Sequence, residues 1–397
     1  MPEIEWLDGG ITAVPGFLAA GLAGGIKAGG KKDMALIHSP TPTRSAAVFT
    51  SNQVKGAPVQ VSMEHARSGA AQAILASSGC SNVCTGERGV KDAREMAKTV
   101  ADLLHIPTAH VLIAATGVIG VPLPMDRVRG ALPKLVKALS PQGGHAAAEA
   151  IMTTDTRPKE AALRLEVNGR TVTLGGIAKG VGMIEPDMAT LITLFVTDAE
   201  VGTAELDQLF RRVIDRTFNA LSIDTDTSTS DTAAILAGGA AGPVVPADLE
   251  AALHAVALSL TRQVARDGEG ATTLIEVRVD GAADDAQSKR VAKGIVNSPL
   301  VKTAVHGADP NWGRVAMAVG KCSDDADIDQ ERVVIRFGGQ EVYPRPVDEE
   351  GLSALSRYMK GDEVLIHVSL GIGDGAFTVY GCDLSDQYVR INADYTT

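Results

Sequence analysis

The stretch that most narrows the folding options is Lys179–Leu194, K-G-V-G-M-I-E-P-D-M-A-T-L-I-T-L. Gly180 and Gly182 admit backbone shapes that other residues resist. Pro186 lacks an N–H and stiffens the approach to Asp187, Met188 and Ala189. Leu191, Ile192, Leu194, Phe195 and Val196 then form a β-favouring run. Thr190 is therefore predicted where a constrained loop enters a buried strand. A hydroxyl there can attack the Ala189 carbonyl, shift the acyl group from N to O, and let water cut the chain. The cut would leave Thr190 as a new N-terminus, whose α-amine titrates near ~8 against ~10.4 for a lysine. Such an amine can serve as base for its own hydroxyl. On spacing alone, a β-branched residue that merely opens a strand is the better reading.

The rest of the chain reads as alternating strands and helices. Strands are predicted at Met34–His38, Ala46–Thr50, Ala70–Ala76 and Val111–Ala115, with the Pro40–Pro42 region separating the first two. After Gly86, Val90, Ala93, Met96, Ala97 and Val100 share one helical face, and another helix is predicted over Arg127–Leu139. Ala161–Val167 and Thr171–Leu174 flank Asn168-Gly169-Arg170, a hairpin signal. Helices follow over Glu205–Leu221 and Asp248–Arg266, the second with Gly268 suited to its C-cap. Thr273–Val279, Val333–Phe337, Glu341–Tyr343, Glu363–Leu370 and Ala376–Tyr380 read as further strands. The pattern predicts an α/β class with layered sheets. Aromatics are only 4% of the chain, so the core must be built from small aliphatic residues and close backbone contacts among the 42 glycines.

Net charge of −11 argues against nucleic acid or an anionic membrane as partner. There is no signal-like leader at Met1–Gly10 and no apolar run long enough to span a bilayer, which predicts a cytoplasmic protein. Four cysteines are too few for a disulfide framework. Cys80 and Cys84 read as small buried thiols rather than as a zinc site. Asp224, Asp226 and Ser228 mimic the start of a calcium loop, but Thr229 stands where glycine is needed, which predicts a hydrogen-bonded structural loop instead. Trp312 and Arg314 in D-P-N-W-G-R either shape a pocket or anchor a turn. No metal site and no dinucleotide fingerprint are legible.

K-G-V-G-M-I-E-P-D-M-A-T-L resembles the self-cleavage segment of the ornithine acetyltransferase family, also called glutamate N-acetyltransferases. G-F-L-A-A-G-L-A-G-G-I-K (16–27), A-T-G-V-I-G (115–120), M-T-T-D-T-R-P-K (152–159), S-I-D-T-D-T-S-T-S-D-T (222–232), D-G-E-G-A-T (267–272), D-P-N-W-G-R (309–314) and I-N-A-D-Y-T-T (391–397) match in the same order. The second half is similar to the subgroup associated with clavulanic-acid biosynthesis. The resemblance implies an αββα sandwich of the self-processing N-terminal-nucleophile-like type. Cleavage between Ala189 and Thr190 would give an alpha chain of 1–189 and a beta chain of 190–397. The latter would include a smaller C-terminal α/β domain at roughly 280–380, and the chains would assemble as a heterotetramer. Where family members read N-S-G-N-A-N-A-C-T-G, this chain reads S-S-G-C-S-N-V-C-T-G (77–86), keeping Asn82 and losing an amide at Cys80.

The implied chemistry is acyl transfer with Thr190 as nucleophile. Thr116 and Gly117 supply the oxyanion site, as a hydroxyl and a backbone N–H at a strand end can. Thr156, Lys179, Thr190, Glu269, Asn392 and Thr397 are the implied substrate contacts. Lys179 suits an α-carboxylate as a compact point charge, and Glu269 suits an ammonium. The implied reaction moves acetyl from N2-acetyl-L-ornithine to L-glutamate by ping-pong steps, with no cofactor. An amidohydrolase or aminopeptidase of related fold, in which water replaces glutamate, is the alternative.

Overall fold

The computed structural model describes residues 4–167, 169–185, 191–322, 325 and 327–394. Ala189, Thr190, Thr397 and the Asn168 of the hairpin turn lie outside them. The chain divides into two compact units. One comprises Met1–Asn219 and Asp226–Leu260; the other comprises Ala220–Thr225 and Thr261–Thr396.

The first unit is built on one nine-stranded mixed sheet. Its strands are β1 (Ile4–Leu7), β2 (Leu18–Leu22), β3 (Met34–Phe49), β4 (Ala70–Cys80), β5 (Val111–Val118), β6 (Lys159–Val167), β7 (Arg170–Lys179), β8 (Ile192–Glu200) and β9 (Thr232–Pro243). They run in the order β1-β6-β7-β8-β9-β3-β4-β5, with β2 on β3. Its helices are α1 (Ala57–His65), α2 (Gly86–Leu104), α3 (Met125–Lys137), α4 (Gly144–Ile151), α5 (Thr203–Arg216) and most of α6 (Pro246–Arg266). The hairpin forms as expected, with Val167 opposite Arg170.

Period-2 alternation sorts the core into layers. Ile74, Ala76, Leu112 and Ala114 of β4 and β5 share one cluster with Ile177, Ile192, Leu194, Val196, Ala234 and Leu236 of β7–β9. Two halves of the sheet therefore face each other. The alternate residues, Ala73, Leu75, Val111 and Ile113, meet Met96, Val100, Val128 and Leu132 of α2 and α3 instead. On the far side, Phe195 of β8 packs edge-on against Phe210 of α5, with ring centroids 5.9 Å apart, and against Phe218 at 6.2 Å. The result is the expected αββα layering, made from one folded sheet rather than two separate ones.

The turn predicted between Met34–His38 and Ala46–Thr50 is absent. β3 continues through Pro40–Pro42, and only the pairing shifts, between His38 and Thr43. Before the shift β3 pairs with β2 and β4; after it, Thr43 and Arg44 still meet β4 while Arg44–Phe49 pair with β9. The prolines interrupt ladder bonding over Ser39–Pro42, and the strand resumes at Thr43 because β4 and then β9 take it up again. β3 is thus the element that joins the two halves of the sheet.

The second unit carries a five-stranded sheet in the order β12-β11-β13-β10-β14. Its strands are β10 (Leu274–Ala282), β11 (Val334–Phe337), β12 (Gln340–Tyr343), β13 (Glu363–Ser369) and β14 (Gly375–Cys382). Helices α7 (Asp285–Val296), α8 (Pro299–His306), α9 (Trp312–Gly320), α10 (Glu349–Met359) and α11 (Asp386–Asp394) complete it. α7 packs on β10 and β14. Gly268 does not supply the left-handed cap expected after α6; the positive φ falls two residues later, at Gly270 (+71°).

Candidate active site

β4 and β5 run parallel and in register, with Ser78 opposite Thr116 and Gly79 opposite Gly117. Gly117 has φ +123°, and a Cβ there would lie 2.4 Å from the Gly79 carbonyl carbon. Only glycine allows the two strand ends to close up and turn, so the position beside Thr116 is sterically determined. Thr116 is buried and accepts a hydrogen bond from Lys179 Nζ at 3.3 Å. Its hydroxyl proton is therefore directed elsewhere, as an oxyanion donor requires.

Lys179 is only 2% exposed at the end of β7. It stands opposite Ile192 of β8, two residues past Thr190. Asp155 makes burial of this charge tolerable. Its carboxylate accepts from Lys159 Nζ at 2.6 Å and from the Gly180 N–H at 2.9 Å, both on Oδ1. The Thr153 N–H donates to Oδ2 at 2.9 Å. Burial pushes the Asp155 carboxyl up, but Lys179 and Lys159 outweigh it and hold the group at about 2. Lys27 adds a third cation on the edge of this cluster. Its Nζ donates to the Lys32 and Met152 carbonyls at 2.9 and 2.6 Å. Burial and the repulsion of Lys179 prevail over Asp33 and Asp155, and its ammonium is lowered to about 8. Thr156 follows Asp155 directly and is exposed.

The segment that contains Thr190 is bracketed by the loop that precedes β9. The Glu185 N–H donates to the Asp226 carbonyl at 3.0 Å, upstream of Thr190. Downstream, the Leu191 N–H donates to Asp231 Oδ1 at 2.6 Å. The loop itself is tied to the end of β3: the Thr50 hydroxyl donates to the Ser228 carbonyl at 2.6 Å and Asn52 Nδ2 to the Thr227 carbonyl at 2.8 Å. This is the hydrogen-bonded structural loop expected from the failed calcium pattern.

In the second unit, Asn392 Nδ2 on α11 donates to Glu269 Oε2 at 2.8 Å and to the Tyr388 carbonyl at 3.0 Å. Ser385 Oγ donates to the Gly270 carbonyl at 2.6 Å, tethering the start of α11 to the same loop. Structure thus brings Glu269 and Asn392 together, as it does Thr116 and Lys179 in the first unit.

A profile of the ArgJ family matches residues 18–397. The chain belongs to the ArgJ family. Glutamate N-acetyltransferase Oat2 of Streptomyces clavuligerus is 54% identical over 387 residues, 96% of this chain and 98% of that protein. The arginine biosynthesis bifunctional protein ArgJ 2 of a Nostoc species is 50% identical over 366 residues, 92% of this chain and 94% of that protein. Among solved structures, an ornithine acetyltransferase of Mycobacterium tuberculosis complexed with ornithine is 39% identical. It covers 48% of this chain and 100% of its own, with a TM-score of 0.44.

Other residues of this ArgJ chain that stood out in the sequence have structural employment. Asn82 Nδ2 donates to the Gly89 carbonyl at 2.9 Å, and Thr85 donates to Asn82 Oδ1 at 2.7 Å, closing the turn before α2. Trp312 stacks on Tyr343 at 5.0 Å, and Arg314 donates to the Leu300 carbonyl at 2.8 Å, so D-P-N-W-G-R anchors a turn. Of the paired thiols, Cys80 is buried as expected and Cys84 is exposed. Sequence reading missed Asp155, Lys159, Lys27 and Asp231 as members of the site. Asp155 and Lys159 lie within M-T-T-D-T-R-P-K, and a carboxylate four residues from a lysine beside an apolar strand was the available signal.

Proposed function

We propose that this chain is a self-cleaving N-acetyltransferase that moves acetyl from N2-acetyl-L-ornithine to L-glutamate, releasing L-ornithine and N-acetyl-L-glutamate. As an ArgJ family member it is an acyltransferase acting on small molecules, and its relatives are named for arginine biosynthesis and glutamate acetylation. Those names do not favour the amidohydrolase alternative. The observation that carries the reading is the buried Lys179–Thr116 bond, opposite the strand that Thr190 leads into.

The chain cuts itself between Ala189 and Thr190. Thr190 then attacks the acetyl carbonyl while its own amine takes the hydroxyl proton. The Thr116 hydroxyl and the Gly117 N–H hold the oxyanion. Lys179 clamps the α-carboxylate that both substrates carry beside the reacting nitrogen, which lets one pocket serve donor and acceptor in turn. Thr156, Glu269, Asn392 and Thr397 bind the remainder of the substrate. The two chains stay together in a heterotetramer in the cytoplasm. No helix among the described residues is long and apolar enough to cross a membrane.

Thr190→Ala is the direct test. It is expected to run as one uncut band on a denaturing gel and to form no N-acetylglutamate. Cutting at the same bond, or retained transfer, would overturn the assignment.

A further inference from the structure

Glu269 sits in a stretch that neither helix nor strand fixes: α6 ends at Arg266 and β10 begins at Leu274. Glycines flank it on both sides, yet the residue is only 9% exposed. Groups outside the loop must therefore set its position. Asp383, buried one residue past β14, supplies them. Its Oδ1 accepts the Thr272 and Thr273 N–H groups at 2.7 and 2.9 Å. Its Oδ2 accepts the Thr272 hydroxyl at 2.6 Å and Nδ1–H of His306 at 2.7 Å. The Asp383 N–H in turn donates to the Thr273 carbonyl at 3.1 Å.

Four donors fill the acceptor capacity of this carboxylate. A strand ladder between β10 and β14 needs none of them, since it is made by backbone groups alone. Three of the four come from the two residues that close the Glu269 turn. The same connecting segment grips the turn again where Ser385 Oγ donates to the Gly270 carbonyl. Gly270 has φ +71°, and a Cβ there would lie 2.7 Å from the Tyr388 nitrogen, so the turn is pressed onto the start of α11. α8 steadies Asp383 from behind. His306 is its last residue, and Lys302, one turn earlier on the same face, donates from Nζ to the Cys382 carbonyl.

We propose that Asp383 is a positioning residue for substrate binding. By fixing Thr272 and Thr273 it sets where Glu269 presents its carboxylate to the ammonium group of an amino-acid substrate. His306 holds Asp383 in that role. The inference rests on the Glu269 reading above and deepens it.

The experiment measures kcat and KM of the purified enzyme for both substrates in a cycle of Asp383→Asn, Glu269→Gln and the double variant. Asp383→Asn keeps one oxygen for the two N–H groups but places an amide nitrogen before the Thr272 hydroxyl and His306. It is expected to raise KM about tenfold and to change kcat by less than about threefold. With Glu269→Gln already present, the same substitution should raise KM by less than about twofold, because the group it positions is gone. Equal effects on the two backgrounds would overturn the proposal, as would a lower melting temperature with KM unchanged. Glu269→Gln alone decides the underlying reading. An unchanged KM there would remove Glu269 from the site and this inference with it; a raised KM without coupling would overturn the inference only. Should Asp383→Asn not fold, His306 carries the test. His306→Ala is expected to raise KM several-fold, and His306→Asn, whose amide can donate where Nδ1 did, to restore it. No change in KM, or the same change in both variants, would overturn the proposal.

Discussion

Asp155 and Asn392 each hold a residue assigned to substrate binding, in opposite surroundings. Asp155 lies buried among Lys159, Lys179 and two backbone N–H donors, every one of them fixed by strands or the turns between them. Asn392 sits exposed on the last helix and meets Glu269 through one bond from its amide. A buried ion cluster locks its geometry, because each member depends on the others to remain charged out of water. An exposed amide on a buried carboxylate can exchange that one bond for water at modest cost. The first arrangement binds folding and chemistry into one requirement; the second leaves affinity adjustable without endangering the fold.

Breaking that contrast should begin with Asp155. Asp155→Ala strands two buried lysines and is expected to cost about 3–5 kcal/mol of stability, measured by urea unfolding. A loss below about 1 kcal/mol would show that the cluster is not the rigid partner in this comparison. Thr116→Val probes the same region without removing a charge. It should lower kcat by roughly 10²–10³-fold while the melting temperature holds, and a change in KM alone would remove Thr116 from the oxyanion site.

Lys179→Met is expected to raise KM for both substrates by roughly ten- to a hundredfold, the worth of one hydrogen bond to a charged group. An effect on acetylornithine but not on glutamate would deny it the role of shared clamp. Acid gives a further contrast. The Asp155 carboxyl is lowered from its ordinary 3.8 to about 2. Its contribution to stability is therefore complete above the ordinary value and is lost as pH falls through 2. Melting curves across that window should show a fall in wild type that Asp155→Asn lacks. The smallest effect is expected at the other region: Asn392→Ala should raise KM by several-fold, about 1 kcal/mol, with unfolding unchanged. A large loss of stability there would erase the distinction between the two regions.

Much of the fold was legible because apolar periodicity reports which face of an element is covered. Ile74 and Ala76 alternating with Ala73 and Leu75 is such a case, as is the Asn-Gly turn between β6 and β7. The interruption of β3 was misread because Pro40 and Pro42 look alike whether a chain turns or only shifts its pairing. Which partners lie on either side is not written in local sequence. The same limit hid the site's supporting charges. Lys179 was visible beside its glycines, but nothing local distinguished it from a solvated lysine.

Sequence by itself determined the elements, their apolar faces, and membership of a family through motifs that follow one another along almost the whole chain. These are properties of neighbouring residues and survive without knowledge of what packs against them. Only the tertiary structure decided that Asp155, 24 positions before Lys179, makes that lysine's burial tolerable, and that Asp231 grips the residue after Thr190. The physical reason is that charge burial and hydrogen-bond satisfaction depend on distance in space, which strand pairing sets and sequence separation does not.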